Sequence, residues 1–215
     1  MSTYVLIHGA GSDSWYWHVI VPELRASGHD VVAVDLPCDD DRAGLAEYTE
    51  TVVEAAGDAS ALILVAQSLA GFTAPLVCER ISTKLIVMVN AMIPRPDESP
   101  GEWWVNTGHV FPDPFDPEEV FTHDLPPALK SESLQHVREQ SGTPFERPWP
   151  LDAWPDVPTR VLVSRHDRFF SAEFQRRIAR ERLGIVPDEI DGGHLPALAR
   201  PLELARRLEL YGSDA

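Results

Sequence analysis

Cysteine and positive charge are both scarce in this chain. Cys38 and Cys78 are the only two cysteines among 215 residues, and a lone pair makes neither a disulfide framework nor a metal-ligand spacing. Both read as small buried hydrophobes kept reduced, and a cytoplasmic location is the expectation. Lys and Arg number 18 against 34 Asp and Glu, a formal net charge of −16. Without a basic footprint, nucleic acid and anionic membrane surfaces are poor partners. Long apolar runs are missing too, none approaching the roughly 20 residues of a membrane span. The start, "MSTYVLIHGAG", lacks the basic-then-apolar form of a signal peptide. A third glycine is absent from "GAGSDS", so the G-x-G-x-x-G dinucleotide fingerprint is not met. The run Asp39, Asp40 and Asp41 reads as a solvated turn, so no metal and no cofactor is expected.

What remains is an ordinary globular composition, 44% hydrophobic and 24% charged. Short β-branched runs alternate with helical segments. Strands are expected at 3–7, 30–36, 61–66, 84–91 and 159–164, with a weak sixth at 186–190. Helices are expected at 15–28, 43–57, 69–81, 171–184 and 196–212. Ser171 reads as an N-cap and Gly184 as a stop. The strands run apolar without clean alternation, as parallel strands buried on both faces do. This rhythm implies a doubly wound, six-stranded, mainly parallel α/β sheet.

Residues 92–158 break the rhythm. They hold 13 of the 19 prolines and four of the six tryptophans, Trp103, Trp104, Trp149 and Trp154. The stretch is too long for a bare loop and too aromatic for a disordered linker. It reads as an inserted helical cap or lid, with helix-like pieces near 101–108 and 126–140. Residues 1–91 and 159–215 are then the core.

Chemistry gathers at the strand ends. "LVAQSLAGF" (64–72) places Ser68 where the third strand turns into a helix. It is nearly the nucleophile elbow G-x-S-x-G, with Ala66 and Ala70 in the glycine positions. By itself, Ser68 reads more readily as a helix cap than as a nucleophile. A serine on such a sharp turn projects its hydroxyl and brings the next backbone N–H, that of Leu69, near the reacting oxygen. Asp167, in "SRHDRFF", follows the fifth strand, and His194, in "DGGHLPAL", follows the sixth. The three fall in the order Ser, Asp, His, in which Asp167 would fix the imidazole tautomer. "LIHGAG" (6–11) can aim a second N–H, that of Ala10, at an oxyanion. His8 reads as a hydrogen-bonding support beneath that loop.

With "HGAG" followed by "SWYW", and with "AQSLAG", "HDRFF…EFQRR" and "GGH", the sequence resembles the α/β-hydrolase superfamily over nearly its whole length. It is most similar to the branch holding plant methylesterases and hydroxynitrile lyases, and to bacterial hydrolases akin to them. The strand series looks like that fold entered at its third strand. The resemblance implies Ser68 as nucleophile, Asp167 as acid, His194 as base, and Leu69 and Ala10 as oxyanion-hole donors. Gln67 stands where these proteins often carry histidine, and is given no role. The lyases resemble one another in a first-loop threonine and a cap lysine. Here the loop carries Ala10, and Lys84 and Lys130 are the only lysines. Lys84 should begin a strand far from the site, which argues against cyanohydrin cleavage.

The expected function is therefore a serine hydrolase of small, apolar esters working through an acyl-enzyme. Alternatives are lyase or acyl-transfer chemistry at the same site, or a hydrolase-fold protein that binds without turnover. A Ser68 hydroxyl far from His194, or a pocket filled by the cap, would favour the last. The oligomeric state is not legible.

Overall fold

The apolar runs pair into one sheet. A computed structural model describes residues 2–215. Its strands are β1 (Thr3–Ile7), β2 (Asp30–Val34), β3 (Leu62–Gln67), β4 (Thr83–Val89), β5 (Thr159–Ser164) and β6 (Asp188–Ile190). Their order is β2-β1-β3-β4-β5-β6. Every adjacent pair is parallel, so all six carboxyl ends lie along one edge, where sites form in such sheets.

Central β3 is buried at all six positions, because helices cover both faces. Alternate residues divide between two cores. Leu62, Leu64 and Ala66 join side chains of α2 (Leu45–Ala56), α3 (Ala74–Cys78) and α7 (Ala172–Leu183). Ile63 and Val65 face α1 (Ile20–Ala26) and α9 (Pro201–Asp214). Each fully buried Leu or Ile contributes roughly 1.5–3 kcal/mol. The ends of α7 are as expected: the Ser171 hydroxyl accepts the Phe174 N–H, and Gly184 closes the helix at φ +68°.

Three expected helices are interrupted. The stretch 15–28 is a 3-10 turn, Ser14–Trp17, capped by the Asp13 carboxylate, followed by α1. The stretch 69–81 is likewise a 3-10 turn, Ser68–Gly71, then α3. The last helix divides at Arg200 into α8 (Pro196–Ala199) and α9, because Pro201 disfavours helical backbone in the residue before it.

Residues 92–158 carry no strand. They form α4 (Pro100–Asn106), α5 (Pro117–Phe121) and α6 (Pro127–Ser133), plus 3-10 turns at Leu134–His136 and Thr143–Phe145. α5 has no counterpart among the expected helix-like pieces, although Asp116 caps it ahead of Pro117. Trp103 and Trp149 sink into the main core, their indole N–H groups donating to Ile93 O (2.9 Å) and Phe72 O (3.1 Å). Trp104 lines the cavity described below. Among the described residues, no helix is long and apolar enough to cross a membrane.

Candidate active site

Ser68 opens the 3-10 turn directly after β3, with φ +52°. That left-handed backbone is costly for a residue other than glycine and is held only where its surroundings enforce it. Here the Met92 N–H clamps Ser68 O at 3.0 Å. The tightest approaches fall at glycines outside the motif positions. A Cβ on Gly71 would lie 1.9 Å from Met92 O, and one on Gly9 would lie 2.8 Å from Ser68 Cβ. Ala66 and Ala70 are buried and leave the turn formed.

His194 Nδ1 and Asp167 Oδ2 lie 2.8 Å apart, both side chains almost wholly buried. Asp167 Oδ1 accepts the N–H groups of Phe169 (2.8 Å) and Phe170 (2.9 Å). Gln175, from α7, donates to Oδ2 at 3.3 Å. A carboxylate so held makes Nδ1 the donor and leaves Nε2 as the basic nitrogen. The rings of Phe121, Phe169 and Phe170 stand 5.3, 5.5 and 5.3 Å from the imidazole and pack around it.

The loop bearing His194 is tied down from three sides. Asn90, just past β4, donates to Ser164 Oγ (2.9 Å), Gly193 O (3.3 Å) and His194 O (3.2 Å). Gln67 also donates to His194 O at 3.3 Å and lines the cavity, so it touches the site after all. Asp124 Oδ2, from the segment 92–158, accepts the Gly193 N–H at 2.7 Å. A Cβ on Gly193 would lie 2.7 Å from the His123 ring and 2.9 Å from Asp124 Oδ1, so those side chains would have to shift to admit it.

The Ala10 N–H finds no acceptor among the described residues. The Leu69 N–H belongs to the first turn of a helix, where no partner exists within the helix. His8 supports the loop as expected. Its Nε2 accepts the Leu36 N–H at 3.1 Å, so Nδ1 carries the proton toward Gly9 O at 2.7 Å. Asp39 pairs with Arg138, Asp40 with Arg42, and Asp41 accepts the Ser141 hydroxyl.

A cavity of about 370 Å³ joins Ser68, Leu69, Ala10 and His194. Trp15, Tyr16, Trp104, Phe121 and Phe145 supply much of its apolar wall. Among the described residues, no hydrogen bond joins the Ser68 hydroxyl to the imidazole. Such contacts commonly tighten only with substrate in place.

Two histidines, His8 fully buried and His109 half-buried, set a pH limit on stability. Burial pushes His8 and His109 below the ordinary value of 6.5. The folded state then binds fewer protons than the unfolded one, so stability present above pH 6.5 is lost as pH falls from there toward the folded-state values. His109 Nε2 is also buried without a partner, amid Trp103, Trp104 and Phe169. His109→Phe is expected to stabilise the fold by on the order of 1 kcal/mol. It should also flatten the fall in melting temperature between about pH 7.5 and 5.5. An unchanged pH slope would contradict a depressed, half-buried His109.

Fold and site together define a class. Residues 4–207 match the alpha/beta hydrolase family, and the chain belongs to it. Methylesterase 3 of Arabidopsis thaliana is 33% identical over 113 residues, which is 46% of this chain and 43% of that protein. That match spans less than half the relative's length. Methylesterase 8 of the same plant is 25% identical over 240 residues, 95% of this chain and 87% of that protein. The crystal structure of polyneuridine aldehyde esterase superposes at a TM-score of 0.83 with 18% identity, covering 98% of this chain and 99% of that one. The named relatives are methylesterases, and the similar solved structure is an esterase.

Proposed function

We propose that this protein is a serine carboxylesterase acting on small, largely apolar esters, with residues 92–158 as the cap over its site. One observation carries the reading: a strained Ser68 shares an apolar cavity with a His194–Asp167 pair and an unspent Ala10 N–H. His194 Nε2 takes the Ser68 proton as Oγ attacks the ester carbonyl. The resulting oxyanion sits against the Ala10 and Leu69 N–H groups, each such donor worth about 2.7–4 kcal/mol. The C–O bond to the alcohol breaks, and His194 returns the proton to the departing oxygen. Water, deprotonated by His194, then attacks the acyl-serine and frees the acid.

The alternatives find less support. Lys84 lies at the amino-terminal end of β4, its ammonium on Gly212 O at 2.9 Å. Lys130 pairs with Glu118 at 3.1 Å, and neither lysine lines the cavity. A lysine-assisted cyanohydrin lyase is thus disfavoured. The open cavity speaks against a site plugged by its own cap.

The test uses a fluorophosphonate probe and short-chain nitrophenyl esters. The folded protein is expected to release nitrophenol and to carry the probe on the peptide containing Ser68. Absence of labelling, or labelling elsewhere, would overturn the proposal.

A further inference from the structure

We propose that Gln140 is a positioning residue that sets the oxyanion hole from the insert; this rests on the acyl-transfer reading above. The Ala10 N–H belongs to the Gly9–Ala10 peptide. The carbonyl of that peptide, Gly9 O, is gripped by His8 Nδ1–H at 2.7 Å. In a trans peptide the N–H points opposite the carbonyl, so His8 turns the Ala10 N–H away from itself.

The following peptides are held from the insert. The Gly11 N–H donates to Gln140 Oε1 at 3.0 Å, and Gly11 O accepts the Arg138 N–H at 2.9 Å. One side-chain and one backbone hydrogen bond thus join the oxyanion loop to residues 138–140. They matter because Gly11 sits at φ +61°, a backbone free to swing without such anchors.

The Gln140 amide cannot turn over. Its Nε2 donates to the Tyr48 hydroxyl (3.1 Å) and to Ser141 O (2.9 Å), which leaves only Oε1 for Gly11. The segment itself is stitched to the loop after β2. The Ser141 N–H donates to Cys38 O at 2.7 Å, and the Thr143 hydroxyl donates to Asp41 O at 2.7 Å. Gln140 thus transmits the position of the insert to the Ala10 donor.

The experiment compares wild type, Gln140→Leu and Tyr48→Phe. Each is assayed for kcat and KM on a nitrophenyl ester and for inhibition by an aryl trifluoromethyl ketone. In the ketone complex Ser68 Oγ bonds to the carbonyl carbon, its proton passes to His194, and the carbonyl oxygen becomes an oxyanion in the hole. Gln140→Leu is expected to lower kcat and ketone affinity together by roughly ten- to hundred-fold, as small misplacements do. KM should stay within about two-fold, as expected for an interaction made only in the transition state. The pH profile of kcat should not move. Tyr48→Phe, which removes one anchor of the amide, should shift the same two quantities in the same direction by less.

If ketone affinity is unchanged while kcat falls, or if KM carries the loss, Gln140 does not set the hole. The proposal falls equally if neither variant differs from wild type. Should Gln140→Leu fail to fold, Tyr48→Phe decides alone. A wild type that neither hydrolyses esters nor binds the ketone removes the hydrolase reading itself, a distinct outcome.

Discussion

Alanine at Ser68 is expected to lower kcat for ester hydrolysis by about 10⁶-fold and to abolish fluorophosphonate labelling. Asp167→Asn should cost less, roughly 10⁴-fold. The difference follows from the hydrogen bonds. An asparagine oxygen can still accept the Phe169 and Phe170 N–H groups that Asp167 Oδ1 holds. Its NH₂ would then face His194 Nδ1, where Oδ2 now sits at 2.8 Å. Two donors cannot face each other, so the imidazole carries its proton on Nε2 and cannot act as a base. Steady-state assays on nitrophenyl esters, with melting curves to confirm folding, measure both variants. A folded Ser68→Ala protein with near wild-type turnover would end the nucleophile assignment.

The second large effect concerns stability. Arg182 of α7 and Glu98 of the segment 92–158 form an ion pair whose side chains are 1% and 4% exposed. Nη2 reaches Glu98 Oε1 at 2.8 Å, and Nη1 contacts both Oε2 and Ile93 O. Glu98 also accepts from Asn106 Nδ2 (3.0 Å) and the Arg95 N–H (3.2 Å). Arg182→Met strands a buried carboxylate and is expected to cost about 3–5 kcal/mol. That is a large share of the roughly 5–15 kcal/mol that holds a typical domain. Arg182→Met combined with Glu98→Leu should recover most of the loss, because no lone charge remains. Urea unfolding of the two single variants and the double supplies the cycle. Additive losses in the double variant would show that the two side chains do not act as a pair.

The core is legible wherever local signals agree. β1 and β5 fall at the expected residues, and Ser171 and Gly184 bound α7, because run length, β-branching and caps all point one way. The interrupted helices have visible but weaker signals: Asp13 ahead of Ser14, and Pro201 after Arg200. For α5 the cue is "DPEE", outweighed by the surrounding prolines. Of the candidate site, the strand-end residues can be read because topology alone gathers strand ends. Asn90, Asp124, Gln140 and Gln175 cannot. Asn90 and Asp124 meet partners 103 and 69 residues away, and Gln140 meets Gly11 across 129. Gln175 bonds Asp167 only eight residues along, but the contact needs α7 to fold back over it. The tryptophans of residues 92–158 divide between core packing, Trp103 and Trp149, and the cavity wall, Trp104.

The elbow carries one more consequence. Ser68 at φ +52° is pinned between Met92 and Gly9 and cannot relax into ordinary backbone. Packing elsewhere must supply the conformational energy stored at this single residue. Thermal robustness and reactivity therefore compete at position 68. Selection for heat tolerance alone would favour the residue most at ease in that backbone, glycine, and would thereby discard the hydroxyl. With Ser68 as the nucleophile, a serine in that backbone is reactivity held at some expense in durability.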